Sequence, residues 1–222
     1  MLEEYAVGHW TLVLDTDELF IFPGFENVGL REFTEYIEQH DFNAVVAPML
    51  DMYSDRPIGE TNYTAGTSLI ETCPYFDGGG YQLSGPANVF PGLPVRGGAR
   101  HRLFWATYDR TYPSPVLTKV PLIKWQSSFS LEASTHNLAG ANIASTTGML
   151  LHFKLLQDFA DNAARETARK EHFRDARQYV AYDSVMSETS ELSAYFEGSV
   201  RYENSAQLVR LGLVKTPVDY PF

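Results

Sequence analysis

A short apolar run that stops on a cluster of acids sets the first constraint on this chain. Trp10 to Leu14 reads WTLVL, and Asp15, Thr16, Asp17 and Glu18 follow at once. A short, nearly continuous apolar run of this kind reads as a buried strand. Pro23 and Gly24 in the following FIFPG stop further regular structure. The segment VGLREFTEYIEQHD then repeats apolar residues at Leu30, Phe33, Tyr36 and Ile37, which predicts a one-sided helix. NAVVAPMLDMY, Asn43 to Tyr53, reads as a second buried strand. Strand, loop, helix and strand in that order give an α/β opening.

The composition bounds what such a chain can be. Its 222 residues are 44% hydrophobic and 20% charged, which excludes wholesale disorder and allows a sizeable core. Neither an internal repeat nor a low-complexity tract is present. With 17 basic and 28 acidic residues the net charge is −11, which argues against a general binder of nucleic acid or anionic membrane. Cys73 is the only cysteine, so no intramolecular disulfide or all-cysteine metal site can form, as suits a reducing compartment. MLEEYAVGHW lacks the basic and apolar regions of a signal peptide, and no apolar run is long enough for a membrane helix. These features together predict a soluble, cytoplasmic protein without a membrane span. Aromatic residues make up 14%; they often line sugar and nucleoside sites, but core packing is the commoner use.

Residues 54–98, rich in Gly, Pro, Asn and Tyr, read as a long irregular region. Arg100 to Ala106 and Val116 to Trp125 read as strands, and Gly148 to Leu156 is another apolar run, with His152 and Lys154 embedded. Leu156 to Phe173 and Asp175 to Met186 read as helices, and the tail from Ser199 as a short helix or turn.

The chemistry-bearing feature is the DTDE cluster. Two carboxylates spaced i, i+2 at a strand end can converge on one divalent cation, and Mg²⁺ or Mn²⁺ leaves positions for phosphate oxygens. Such a cation would neutralise the charge that develops on a diphosphate leaving group. An alternative is a DxD phosphatase with Asp15 as nucleophile, but that motif wants Thr or Val where Leu19 stands. It also wants a later acidic pair after a strand, and Asp158 and Asp161 lie in a helical pattern instead.

WTLVLDTDELFIFPG, LDMYSD, RGGARHRLF, KVPLIKW, STHNL and TGMLLHFKLL occur in that order. The set resembles the bacterial family-2-like glycosyltransferases of the GT-A type, across roughly Gly8 to Leu211. The resemblance implies a GT-A-like mixed sheet flanked by helices, α/β in class, with residues 155–222 a mostly helical C-terminal segment of one domain spanning 1–222. In such enzymes a nucleotide-base-binding half precedes the DxD segment, so the domain is expected to be partial at its N-terminus. The implied activity is metal-dependent sugar transfer from a nucleotide-diphosphate donor to a saccharide or other glycan acceptor.

On this reading Asp15 and Asp17 hold Mn²⁺ or Mg²⁺ and the diphosphate, with His136 or His152 completing the metal shell. Glu18 orients the loop. Arg100, Lys119, Lys124 and Lys154 are candidates for phosphate contact. Lys119 and Lys124 point to opposite faces of one strand, so at most one faces the pocket. Gly97 and Gly98 would let backbone approach a ligand. Trp125 is a candidate sugar-stacking ring, with core packing its commoner use. An inverting enzyme also needs a carboxylate base. Asp51, Asp55, Glu71 and Asp77 are candidates, and Asp51 ranks first because it follows a buried strand. The competing reading is a non-catalytic remnant or carbohydrate-binding module.

Overall fold

A computed structural model describes residues 1–83, 94–106, 114–132, 134–169, 177–189 and 191–222. Helix α1 (Leu2–Tyr5) precedes β1 (Trp10–Leu12), β2 (Glu18–Ile21), α2 (Leu30–Gln39), β3 (Ala44–Val45) and β4 (Met49–Asp51). Next come α3 (Leu69–Thr72), β5 (Tyr75–Asp77), β6 (Tyr81–Leu83), β7 (Val95–Gly97) and α4 (Gly98–Arg100). Strands β8 (Leu122–Lys124), β9 (Ser130–Glu132), β10 (Asn137–Ala139) and β11 (Met149–His152) follow. Helices α5 (Phe159–Arg169) and α6 (Arg177–Glu188), strand β12 (Ser199–Arg201) and helix α7 (Ser205–Arg210) complete the chain. The architecture is mixed α/β. The segment 155–222 contributes three of the helices and also β12, which pairs antiparallel with β5.

Several expected elements change type or length. The strand expected over Asn43 to Tyr53 is two short strands, because Pro48 between them has no N–H to give to a ladder. WTLVL gives a three-residue strand that is only half-buried, and Leu14 is 37% exposed. Arg100 to Ala106 is helical rather than extended: α4 runs into a wide helical turn over His101–Trp105. Its Phe104 and Trp105 rings pack on Tyr182 of α6, with centroids 4.9 and 5.4 Å apart. A short apolar run fits either element, and here tertiary packing decides. From Val116 to Trp125 only β8 is regular strand, yet Leu117 and Lys119 still accept from the Met49 and Ala47 amides. Residues 170–173 and 175–176 of the two expected C-terminal helices lie outside the described residues.

Two three-stranded sheets position the site. In one, β8 lies between β1 and β3, antiparallel to both. In the other, β11 lies between β2 and β4, antiparallel to β2 and parallel to β4. The register of the second pairs His152 with Glu18 on one side and with Asp51 on the other. One β11 residue thus sits between the acidic cluster and the end of the second strand.

Helix α2 shows how the core is specified. Phe33 and Ile37, four residues apart, are 0% and 1% exposed, while Leu30 at the rim is 38% exposed. Phe33 stacks on Phe22 at 4.4 Å. The Glu32 carboxylate accepts from the Gly29 amide at 2.8 Å and closes the helix N-terminus. Ile37→Val should cost about 0.5–1.5 kcal/mol in urea denaturation, the range for one buried methylene.

Burial also fixes the alkaline limit of stability. It raises the phenols of Tyr53, Tyr202 and Tyr220 above their ordinary value. These groups ionise later in the folded chain than in the unfolded one, so their contribution is complete below about pH 10 and lost as pH rises through the folded values. Urea midpoints should hold steady from neutrality to mildly alkaline pH and fall above about pH 10. Among the described residues no helix is long and apolar enough to cross a membrane.

Candidate functional site

The DTDE segment is the turn that leads into β2. The Glu18 amide donates to the Asp15 carbonyl at 3.1 Å, and the Phe153 amide donates to the Asp17 carbonyl at 2.8 Å. That second bond locks the turn to the end of β11 and brings Asp17 beside His152. The His152 Nε2 lies 3.3 Å from Asp17 Oδ2, and its Nδ1 lies 2.8 Å from Asp51 Oδ1. Asp51 is fully enclosed, and Arg100 Nε sits 2.8 Å from it.

Electrostatics orders this row. Burial alone would raise the Asp51 carboxyl, but the Arg100 charge and the His152 hydrogen bond outweigh it and hold the group well below the usual carboxylate range. An ionised Asp51 accepts only, so we assign the Nδ1–H of His152 as the donor to it. The remaining ring nitrogen faces Asp17. Burial raises that carboxyl too, and His152 and the Lys154 charge more than reverse it. An imidazole nitrogen and a carboxylate oxygen therefore face one another 3.3 Å apart, a gap that a shared proton or a cation can bridge. A carboxylate behind a ligating imidazole is a recurrent arrangement at metal sites.

The remaining expected residues distribute differently. Lys119 Nζ is 2.6 Å from Asp15 Oδ2 and 2.6 Å from Glu18 Oε1, and Glu18 also accepts from the Asp15 amide. The ammonium is mostly enclosed, and the two carboxylates raise its pKa against the opposing effect of burial. Asp15, expected on the metal, is thus held by a lysine. Lys119, expected on phosphate, is neutralised by two acids. His136, the other expected metal ligand, donates its Nδ1–H to the Thr118 carbonyl at 2.7 Å. Burial and the Lys119 charge lower its pKa, and the structure does not gather it with Asp17 and His152. Among the described residues no set of three or more His, Cys, Asp or Glu side chains forms a metal cage. The site offers a pair.

Arg100, expected on phosphate, is 5% exposed and spent on Asp51. Asp51, ranked first as the base, is 2% exposed with its carboxylate shared between Arg100 and His152. It has no access to an acceptor hydroxyl and serves as the anchor of the imidazole. Asp77 is equally committed, to Arg102 and to the Tyr53 hydroxyl, while Asp55 is exposed. Gly97 and Gly98 serve packing rather than ligand approach. Gly97 has φ 126°, and a Cβ there would stand 2.2 Å from the Gly80 carbonyl oxygen. Trp125 is core, 5% exposed, with its Nε1–H donated to Glu3.

Lys154, expected on phosphate, stands near the Tyr179 ring. Two residues beyond His152, its ammonium lies 5.3 Å from the centre of the Tyr179 ring. Burial and the Arg100 charge lower its pKa, while Asp17, Asp51 and Asp15 oppose them. Sequence reasoning missed the Glu18–Lys119 pairing and the covering residues Tyr179 and Tyr182. The adjacency of Glu18 to DxD was the only available signal. No family model, curated protein or solved structure matches the chain.

Proposed function

We propose that this chain carries the metal- and diphosphate-binding face of a nucleotide-sugar-dependent glycosyltransferase. The observation that supports this most is the row Asp17–His152–Asp51–Arg100, in which a carboxylate and an imidazole nitrogen face each other. The carboxylate oxygen suits Mn²⁺ or Mg²⁺, and the imidazole nitrogen favours the softer Mn²⁺ of the two, with the remaining positions open to phosphate oxygens and water. Asp17 and His152 would hold the ion. When bound, it would supply positive charge to the oxygens of a departing diphosphate.

The chain's own residues do the rest. Asp51 fixes the imidazole by accepting its Nδ1–H, and Arg100 holds Asp51 ionised. Lys154 presents a fixed cation beside Asp17, suited to a phosphate oxygen. Lys119 offsets one of the two negative charges of Asp15 and Glu18, which reduces repulsion of an incoming diphosphate. The test is calorimetric titration of a nucleoside diphosphate with and without Mn²⁺. Metal-linked binding that Asp17→Ala abolishes is expected; binding that ignores both metal and substitution rejects the assignment.

The burial of Asp51 favours the second reading, a carbohydrate-binding remnant, because it removes the first-ranked base. Saccharide binding without metal-linked nucleotide binding would select it.

A further inference from the structure

Beyond the Asp17–His152 pair, the same face of the sheet ends in two exposed aromatic rings. Side chains alternate along a strand, so Asp51 and Tyr53 share a face, as do Tyr75 and Asp77. Leu50, Met52 and Phe76 pack together in the core on the other side. Tyr53 and Tyr75 exchange amide hydrogen bonds of 2.8 and 3.0 Å, and the Tyr53 hydroxyl donates to Asp77 at 2.7 Å. Tyr53 lies two strand residues, about 7 Å, beyond Asp51. Tyr195 stands edge-on to Tyr75 with ring centroids 4.9 Å apart.

Tyr195 is 47% exposed and Phe196 38% exposed. Neither belongs to the core. Both are nonetheless held in place. The Tyr195 amide donates to Ser193 Oγ at 3.2 Å, and the Phe196 amide donates to Ser199 Oγ at 2.9 Å. Ser199 Oγ also hydrogen-bonds the Tyr53 hydroxyl at 2.9 Å. The Arg102 guanidinium lies 3.9 Å from the Phe196 ring centre. The Gly198 backbone lies so close to that ring that a Cβ there would stand 2.6 Å from it. A braced loop that keeps aromatic rings in water is arranged for contact rather than for packing.

Area and charge select the occupant. At these exposures the two rings offer roughly 150–200 Å², far short of the ~800 Å² per partner of a stable protein interface. That area suits one small ring. Arg102 is already committed to Asp77 and to the Ala194 carbonyl. The exposed charges of the loop are Glu191 and Glu197, which disfavour an anionic ligand. A pyranose meets these terms, with an apolar C–H face to stack on aromatic carbon and hydroxyl edges for the flanking acids.

We infer that Tyr195 and Phe196, braced by Tyr75 and Arg102, form a stacking platform for an uncharged pyranose on the site face of the sheet. Its use as the acceptor subsite rests on the transferase reading; saccharide binding itself does not. The experiment is an NMR titration of the whole chain with methyl β-D-galactopyranoside, methyl β-D-glucopyranoside and methyl β-D-glucuronide, without metal or nucleotide. The neutral glycosides should bind with millimolar affinity and shift the Tyr195 and Phe196 ring signals. Tyr195→Ala and Phe196→Ala should each weaken binding about tenfold, and Tyr195→Phe should retain it. The anionic glucuronide should bind more weakly than the neutral pair. No binding by the wild type, shifts confined to other residues, or equal binding by both alanine variants overturns the platform. Parallel Mn²⁺ and nucleoside-diphosphate titrations report on Asp17 and His152 alone, so failure of the transferase reading shows separately.

Discussion

Asp17→Ala is expected to lower transfer from a nucleotide-diphosphate sugar in the presence of Mn²⁺ by roughly 10²–10³-fold, the effect of removing one group that stabilises a developing negative charge. Asp17 is the one carboxylate of the DTDE cluster that faces Nε2 of His152, at 3.3 Å. Asp15 and Glu18 are both held by Lys119. Asp15→Ala should therefore cost less than Asp17→Ala, an order that spacing alone does not provide. Asp51→Asn should weaken Mn²⁺ binding by about 10–100-fold, because an amide holds the imidazole less firmly than a carboxylate does. Steady-state rates with purified variants decide the matter: equal turnover in wild type and Asp17→Ala defeats the metal assignment.

Asp51→Ala is expected to destabilise the fold by about 3–5 kcal/mol, the usual cost of breaking a buried ion pair from one side. The Arg100 side chain is 6% exposed and would lose its counter-charge. His152, itself 5% exposed, would lose the acceptor for Nδ1–H. Arg100→Met alone leaves Asp51 buried with only the His152 hydrogen bond and should cost a similar amount. The double change Asp51→Leu with Arg100→Met removes both charges and should recover much of the loss, since apolar residues of similar volume often replace buried pairs without penalty. Urea denaturation of wild type, Asp51→Leu, Arg100→Met and the double variant measures the coupling. Additive losses in the double variant would show that the pair is not a unit.

Much of the fold was legible from periodicity. The spacing of Phe33 and Ile37 predicts α2, because the pattern directly reflects which face is buried. The RHRLFWA segment was not legible. Its apolar residues are compatible with either a strand or a helix, and packing against Tyr182 selects the helix. The candidate site divides in the same way. Asp17 and His152, both candidates from the sequence, lie 3.3 Å apart at the end of β11.

The roles of Asp51, Arg100 and Lys119 were not legible. A carboxylate after an apolar strand is a base if water reaches it and an anchor if a guanidinium does. Only the approach of Arg100 from 49 residues away decides between them. By itself the sequence determines the residue types, the alternation of strands and helices, and the acidic cluster at the entrance to β2, because these depend on local pattern. The tertiary structure alone decides which acid meets which base, because ion pairing depends on distances that the strand register and helix packing set.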